Sequence, residues 1–390
     1  MSERLSRRRL LATTVGGVAF GVVGCLDTAK DEAADWPTRG YDPGNSGYAP
    51  DVRGPTDDAE VAWTADLDAD RAGSPIVYDD RIYVGTNRGD LSKFPKGHIV
   101  ALDRHSDEQW RYLADRAINR PLTATADGIY GGSRGGAVVA LDYEGKRRWR
   151  YDLGSGNSAD VKATSKRVYA TSGGRLVALD ATGTVLWQYE PETTIGIAGL
   201  PTIGERGVYV GVGNLWALDE DGSLRWVYEK ENYRVTPPVL AGGTLYAVER
   251  PVTTENVRLD ESREQAQVVA INTDGSVQWR TPLPFAGGRM IADETLLVTA
   301  EPGLVALDAT TGEERWLYER SRLFSSSIAD NVAYLVTDTD VHAVDVSTGE
   351  DLWQVEEIIA ANLPAISGGT VYIGSADGKV HALEEPGMSL

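Results

Sequence analysis

The sequence predicts an all-β fold, an eight-bladed β-propeller of four-stranded blades whose last blade is closed by an N-terminal strand. A motif ending in tryptophan recurs along the chain at steps of 39, 38, 39, 53, 37 and 37 residues. Each unit of about 40 residues contains four short β-rich runs separated by Gly- and Asp-containing turns, which is typical of a propeller blade. No run between these turns has the length or the apolar spacing of a useful helix.

The motif consists of an Ala-x-Asp-like tripeptide followed by a tryptophan. The tripeptides begin at Ala101, Ala140, Ala178, Ala217, Ala270, Ala306, Ala343 and, without a following tryptophan, Ala382. The step of 53 residues indicates an insertion in one blade. The tryptophans that we expect to dock neighbouring blades are Trp63, Trp110, Trp149, Trp187, Trp226, Trp279, Trp316 and Trp353.

The two ends of the repeat predict how the ring closes. The last unit supplies three strands, Leu363–Ser367, Thr370–Gly374 and Lys379–Leu383. The missing fourth strand is predicted at Glu60–Ala65, which contains Trp63 and lies ahead of the first complete unit. This pairing would remove the exposed sheet edge that an open ring leaves.

The first 24 residues have the pattern of a signal peptide. Arg7 and Arg8 precede an apolar run from Leu10 to Gly24, which is shorter than the roughly 20 residues that a membrane-spanning helix needs. The arginine pair resembles a twin-arginine export signal, and Val22-Val23-Gly24-Cys25 resembles a lipobox. We therefore expect a lipid on Cys25, a tether at residues 25–35 and the propeller at residues 36–390. An uncleaved anchor helix is the alternative, and both place the propeller at the outer face of the cell membrane.

The composition limits the classes of partner. Asp and Glu outnumber Lys and Arg by 58 to 38, which gives a net charge of −20. Such a surface repels phosphate backbones, so nucleic-acid binding is not expected. Lysine supplies only 8 of the 38 cations. High acidity with scarce lysine suggests a halophilic source, since concentrated salt screens the repulsion between like charges.

The repeat resembles that of the eight-bladed propellers typified by pyrroloquinoline-quinone (PQQ) alcohol dehydrogenases. The resemblance rests on Ala306–Trp316 (ALDATTGEERW) and Ala343–Trp353 (AVDVSTGEDLW), which match the family's eleven-residue docking pattern, and on the opening run from Trp36 to Tyr48. It covers residues 36–385 and implies that the tryptophans wedge between blades. The family also includes non-enzymatic members, such as the lipoprotein of the bacterial outer-membrane protein assembly machine.

The resemblance leaves two functions open. Its enzymes hold PQQ over a vicinal disulfide, with Ca²⁺ bound by Glu and Asn side chains and an Asp as the base. Cys25 is the only cysteine, so that disulfide is impossible, and the calcium ligands and the base map onto no position. We predict no catalytic residue, no metal site and no cofactor, and a non-catalytic protein-binding or scaffold role for a cell-surface lipoprotein. The alternative is a PQQ- and Ca²⁺-dependent oxidoreductase that acts on alcohols or sugars.

Charge differs between the two ends of the predicted ring. Turns after the first and third strands form one face, here called the turn face, and its third-strand turns carry 18 carboxylates against two cations. Links between blades and turns after second strands form the link face, whose links carry eight acids and eight bases. Two long insertions, Asn87–Gly97 and Pro251–Gln267, also lie on the link face, where loops often carry binding. We predict that it binds a protein partner or an anionic ligand through Arg71, Arg116, Arg120, Arg234, Arg289 and Arg322. The oligomeric state stays open.

Overall fold

The structure is a computed structural model. It describes residues 35–89, 95–118, 120–154, 156–192, 196–252, 265–323, 325–359 and 362–387. Within these residues the chain forms eight sheets and no helix, so the predicted all-β, eight-bladed propeller is confirmed. The described ranges include no helix able to span a membrane.

The strands follow the predicted repeat. Two precede the first complete unit: β1 (Tyr48–Ala49) and β2 (Glu60–Asp66). Blade 1 contains β3 (Arg71–Ala72), β4 (Ile76–Tyr78), β5 (Arg81–Asn87), β6 (Gly97–Leu102) and β7 (Glu108–Ala114). Blade 2 contains β8 (Leu122–Thr125), β9 (Gly128–Gly132), β10 (Ala137–Leu141) and β11 (Arg147–Asp152). Blade 3 contains β12 (Asp160–Ala163), β13 (Val168–Ser172), β14 (Arg175–Leu179) and β15 (Val185–Tyr189). Blade 4 contains β16 (Thr202–Gly204), β17 (Gly207–Val212), β18 (Asn214–Leu218) and β19 (Leu224–Tyr228).

The second half of the ring continues this order. Blade 5 contains β20 (Tyr233–Val235), β21 (Val239–Ala241), β22 (Thr244–Pro251), β23 (Gln267–Asn272) and β24 (Val277–Pro282). Blade 6 contains β25 (Arg289–Ala292), β26 (Thr295–Thr299), β27 (Gly303–Asp308) and β28 (Glu314–Glu319). Blade 7 contains β29 (Ser325–Ala329), β30 (Val332–Val336), β31 (Val341–Asp345) and β32 (Asp351–Val355). Blade 8 contains β33 (Ala365–Ser367), β34 (Thr370–Gly374) and β35 (Lys379–Glu384).

The N-terminal strand closes the ring as predicted. β2 pairs antiparallel with β35, with Trp63 opposite Ala382, and gives blade 8 the strand order β2-β35-β34-β33. Three short strands add to the predicted blades: β1 joins β29 in parallel, β3 joins β5, and β20 joins β22. None of the three belongs to the repeat, so the sequence pattern did not reveal them.

Burial along a blade follows from its position between two neighbours. The middle strands are apolar and buried on both faces, as in β30 (VAYLV), because adjacent blades cover them. The outermost strand alternates between covered and exposed residues, as in β24 (VQWRTP). This difference explains why each repeat reads as two apolar runs followed by a more polar one.

The eight motif tryptophans make equivalent contacts around the ring. Each indole N–H donates to a backbone carbonyl at 2.7–3.0 Å. In seven cases the carbonyl belongs to the residue after the motif's third residue in the next blade, as in Trp110 to Tyr143. Trp353 donates instead to Pro55 of the N-terminal segment. Blade 8 differs from the other blades in that its outermost strand, β2, comes from this segment and does not follow β35 in the chain. These contacts support the docking role of the tryptophans, which stays a prediction until it is tested by substitution.

Candidate functional site

A segment at the N-terminus, residues 36–55, runs around the inside of the ring and is here called the plug segment. It forms backbone hydrogen bonds with the first strands of six blades and with a turn of blade 8. The blade residues concerned are, in order, Val77, Ala124, Ile203, Leu240, Ile291, Ile328 and Gly369, with Lys162 of blade 3 bonded through its side chain. The plug segment therefore touches all eight blades in their order around the ring.

Lys162 holds the plug segment through two side-chain hydrogen bonds. Its side chain is fully buried, and its Nζ donates to the backbone oxygen of Arg39 at 3.0 Å and to Oδ1 of Asn45 at 2.7 Å. Burial lowers the pKa of Lys162 to about 7; the carboxylate of Asp42 opposes this shift, and the charge of Arg39 adds to it. Near neutral pH this buried amine therefore gains or loses its proton.

Two cavities border the plug segment. Asp42, Pro43 and Gly44 line the one on the turn face, of about 720 Å³. Arg39 and Arg289 help to line the other, of about 280 Å³, which we call the link-face cavity. The plug segment contributes Arg39, Gly40, Asn45 and Gly47 to the lining of the link-face cavity.

Two arginines give the link-face cavity its charge. Arg39 has an exposed side chain, yet the surrounding protein desolvates it and lowers the pKa of its guanidinium. Arg289 donates from Nη1 to the oxygen of Gly287 at 2.9 Å and from Nη2 to that of Pro237 at 2.5 Å. Burial lowers the pKa of Arg289 to about 10, which still leaves it charged at neutral pH. The link-face cavity therefore presents positive charge on a strongly anionic protein.

The other predicted arginines differ in their surroundings. Arg120 lies 3.7 Å from the largely buried Asp160, and Arg322 lies 2.8 Å from Asp338. Arg71 and Arg234 are exposed on β3 and β20, and within the described residues neither forms a salt bridge. Arg116 packs against the turn that contains Gly135. The structure thus brings only Arg289 of the predicted set to the link-face cavity.

Several predicted features lie outside the described residues. These are the leader with Arg7 and Arg8, the lipidation site Cys25, the tether up to residue 34, and the central parts of both insertions, residues 90–94 and 253–264. Their roles stay predictions.

The described residues do not fit the PQQ and Ca²⁺ site that the resemblance implies for an enzyme. Among them no group of three or more His, Cys, Asp or Glu side chains is placed to hold a metal ion. The link-face cavity is lined in part by Arg39 and Arg289. Guanidinium groups donate hydrogen bonds and cannot ligate calcium, which takes oxygen ligands.

A family model described as outer membrane protein assembly factor BamB matches residues 95–263 and 264–387. The chain belongs to this BamB family of PQQ-like propellers. None of the curated proteins compared with the chain matches it.

Solved structures show the same fold as this BamB-family chain. BamB from Moraxella catarrhalis is 20% identical, with a TM-score of 0.66 over 85% of this chain and 99% of that one. The quinohemoprotein alcohol dehydrogenase from Comamonas testosteroni is 16% identical, with a TM-score of 0.70 over 91% of this chain and 81% of that one. A europium-containing methanol dehydrogenase is 14% identical, with a TM-score of 0.67 over 90% and 98%. At these identities the likeness shows the fold alone.

Sequence reasoning missed Arg39, Arg250 and Lys162 as residues of the centre and link face. Arg39 lies in the plug segment, whose path through the ring has no counterpart in the repeat. Arg250 and Lys162 occupy ordinary strand positions, on β22 and β12. A buried position for Lys162 was hinted at only by its place between the apolar residues Val161 and Ala163.

Proposed function

We propose that this BamB-family chain is an exported, lipid-anchored propeller that binds a protein partner through its link face and carries out no catalysis. The observation that carries the proposal is the link-face cavity, which is lined by the plug segment and by the two arginines Arg39 and Arg289. A cationic cavity of about 280 Å³ suits a side chain or a chain end of a bound macromolecule.

Two further features support binding on this face. The insertions after β5 and β22 both begin there, and lengthened loops on a rigid scaffold commonly contact partners. The turn face has a different chemistry. Its aspartates accept hydrogen bonds from their own turns, as Asp308 does from the N–H groups of Thr310 and Thr311, so these carboxylates shape turns.

The membrane anchor is tested by the mass of the mature protein. We expect the chain from the membrane fraction to begin at a lipid-modified Cys25. The Cys25→Ser variant is expected to lose the lipid mass and to leave that fraction. An intact mass that begins at Met1 without lipid would contradict lipidation.

The binding face is tested by capture of partners from detergent-solubilised membranes. Four link-face arginines are replaced by serine in one variant: Arg116, Arg234, Arg289 and Arg322. The control variant changes as many arginines on the outer strands β11 and β19: Arg147, Arg148, Arg150 and Arg225. We expect the partner to be lost from the first variant and kept by the control. The same partner on both variants would refute the proposed binding face.

A reconstitution experiment tests the absence of catalysis. PQQ and Ca²⁺ are added to the purified chain, followed by alcohols or sugars and a redox dye. We expect neither bound quinone absorbance nor dye reduction above the protein-free control. Substrate-dependent dye reduction would overturn the proposal in favour of the oxidoreductase.

A further inference from the structure

Three arginines converge on the link face where blade 5 meets blade 6. Arg234 and Arg250 are direct partners in the β20–β22 ladder, so their side chains leave the same side of the sheet with Cβ atoms roughly 5 Å apart. Arg250 donates from Nη2 to the oxygen of Ala286 at 2.9 Å, and Arg289 donates from Nη1 to that of Gly287 at 2.9 Å. The two acceptors are adjacent residues, and the positive charge of Arg250 contributes to the lowered pKa of Arg289, so the two guanidinium groups lie near each other.

No acidic side chain among the described residues neutralises these three positive charges. Within the described residues none of them forms a salt bridge, although the protein carries a net charge of −20. Glu249, which precedes Arg250, is buried and already pairs with Lys230 at 2.6 Å and Arg280 at 3.4 Å. Like charges placed directly opposite each other on a sheet are destabilising.

Arg289 also has an unused donor. Its Nε is buried and has no hydrogen-bond partner in the described part of the chain, whereas its two terminal nitrogens are bonded to carbonyl oxygens. A buried donor without an acceptor costs about 1–3 kcal/mol. Among the described residues, the site therefore has neither an acceptor for Nε of Arg289 nor a negative charge, and a carboxylate provides both.

We propose that Arg234, Arg250 and Arg289 form a binding site for an acidic peptide segment of the protein partner. A guanidinium group matches the geometry of a carboxylate and can bind it through two parallel hydrogen bonds. The exposed Arg234 and Arg250 contact successive acidic residues, and Arg289 receives a carboxylate that enters the link-face cavity. The inference rests on the proposed function and identifies the chemistry of the partner.

The test measures binding of a fluorescent hexaglutamate peptide to the purified full-length chain. The salt concentration is the lowest at which the chain stays folded, because screening weakens such contacts. We expect Arg250→Gln and Arg289→Gln each to weaken binding by about tenfold, the loss of one charge-assisted contact. The matched control is Arg150→Gln, an exposed arginine on the outer strand β11 that already pairs with Asp152 at 3.1 Å. It is expected to change binding by less than about twofold.

Each other outcome overturns the assignment. No peptide binding to the unmodified chain refutes the site, and an equal loss in Arg150→Gln shows that the peptide is attracted to exposed arginines in general. Inorganic phosphate that binds as tightly as the peptide, with the same dependence on Arg250, shows a simple anion site. If Arg289→Gln does not fold, peptide binding to Arg234→Gln and Arg250→Gln decides, because both of these side chains are exposed.

The peptide assay and the capture of partners fail separately. Peptide binding without capture of any membrane protein refutes the proposed function and leaves the site intact. Capture of a partner that Arg250→Gln does not weaken refutes the acidic-peptide site and leaves the proposed function intact.

Discussion

Substitution of Gly145 tests whether the tryptophans dock the blades. Gly145 lies in the turn between β10 and β11 with φ +81°, and an added Cβ would lie 2.6 Å from the Trp110 ring of blade 1. Gly243 provides a matched control in the turn between β21 and β22. Its φ is +79°, and no heavy atom lies within 4 Å of the position of its Cβ. The two alanine variants therefore share the backbone strain and differ in the contact with the indole.

The magnitude follows from these two contributions. Alanine in the left-handed region costs about 1–2 kcal/mol, partly offset by about 0.4–1 kcal/mol from a less flexible unfolded chain. Gly243→Ala is therefore expected to lower the free energy of unfolding by about 1 kcal/mol. Gly145→Ala adds overpacking against Trp110, worth about 1–3 kcal/mol, for a total of about 2–4 kcal/mol.

Urea denaturation at a fixed salt concentration, followed by far-ultraviolet circular dichroism, measures both losses. A double variant, Gly145→Ala with Trp110→Ala, separates the contributions. Removal of the indole makes room for the new methyl group, so the double variant is expected to lose about 1–3 kcal/mol less than the sum of the single losses. Equal losses in the two glycine variants, or simple additivity with Trp110→Ala, would refute the docking contact.

Three further predictions concern charge. The pKa of Lys162 is about 7 in the folded chain and 10.5 in the unfolded one, so the unfolded state holds the extra proton between these values. The free energy of unfolding therefore rises with pH across that window, by about 5 kcal/mol in total and by about 3 kcal/mol between pH 7 and pH 9.5. Lys162→Met is expected to show no such rise when denaturation is measured at these two pH values. Arg104→Ala removes the hydrogen bonds to Ser367 and Tyr372 of blade 8 and is expected to lower the free energy of unfolding by about 2–4 kcal/mol. The control Arg53→Ala changes an exposed side chain and is expected to lower it by less than about 1 kcal/mol in the same denaturation assay. Melting temperature is expected to rise with potassium chloride concentration, and a maximum in dilute buffer would contradict a halophilic source.

The sequence predicts the fold because one physical requirement repeats in every blade. Each blade must bury its neighbour's indole, turn tightly at an aspartate and a glycine, and alternate buried strands with a partly exposed one. Closure is predictable for the same reason. The last unit has only three of the four strands of a blade, and Trp63, which lies ahead of the first complete unit, marks the strand that completes it. A requirement that occurs many times produces a pattern that one sequence reveals.

The centre of the ring is not predictable in this way, because each contact there occurs once. Arg39 lies in a segment that contacts seven different strands and one turn, so no position of the plug segment repeats another. Glycines are its one visible signal. A Cβ on Gly44 would lie 2.6 Å from the backbone oxygen of Leu240, and one on Gly47 would lie 2.9 Å from the Met290 side chain. Their spacing indicates a segment that passes close to the backbone of other strands. It does not identify those strands, because they belong to blades that are distant in sequence.

The arginine site shows the same limit for charge. A count of acids and bases by loop places Arg234 and Arg289 on a nearly neutral face, yet neutrality of a face does not determine which charges pair. Glu249 is next to Arg250 in sequence, but on a strand adjacent residues point to opposite sides, and its carboxylate pairs with Lys230 instead. The positive site arises because the alternation along β22 removes the nearest carboxylate in sequence from Arg250, while the ladder with β20 brings another arginine to it. Charge pairing at this edge of blade 5 is thus set by strand register, which determines which arginines have no counter-charge among the described residues.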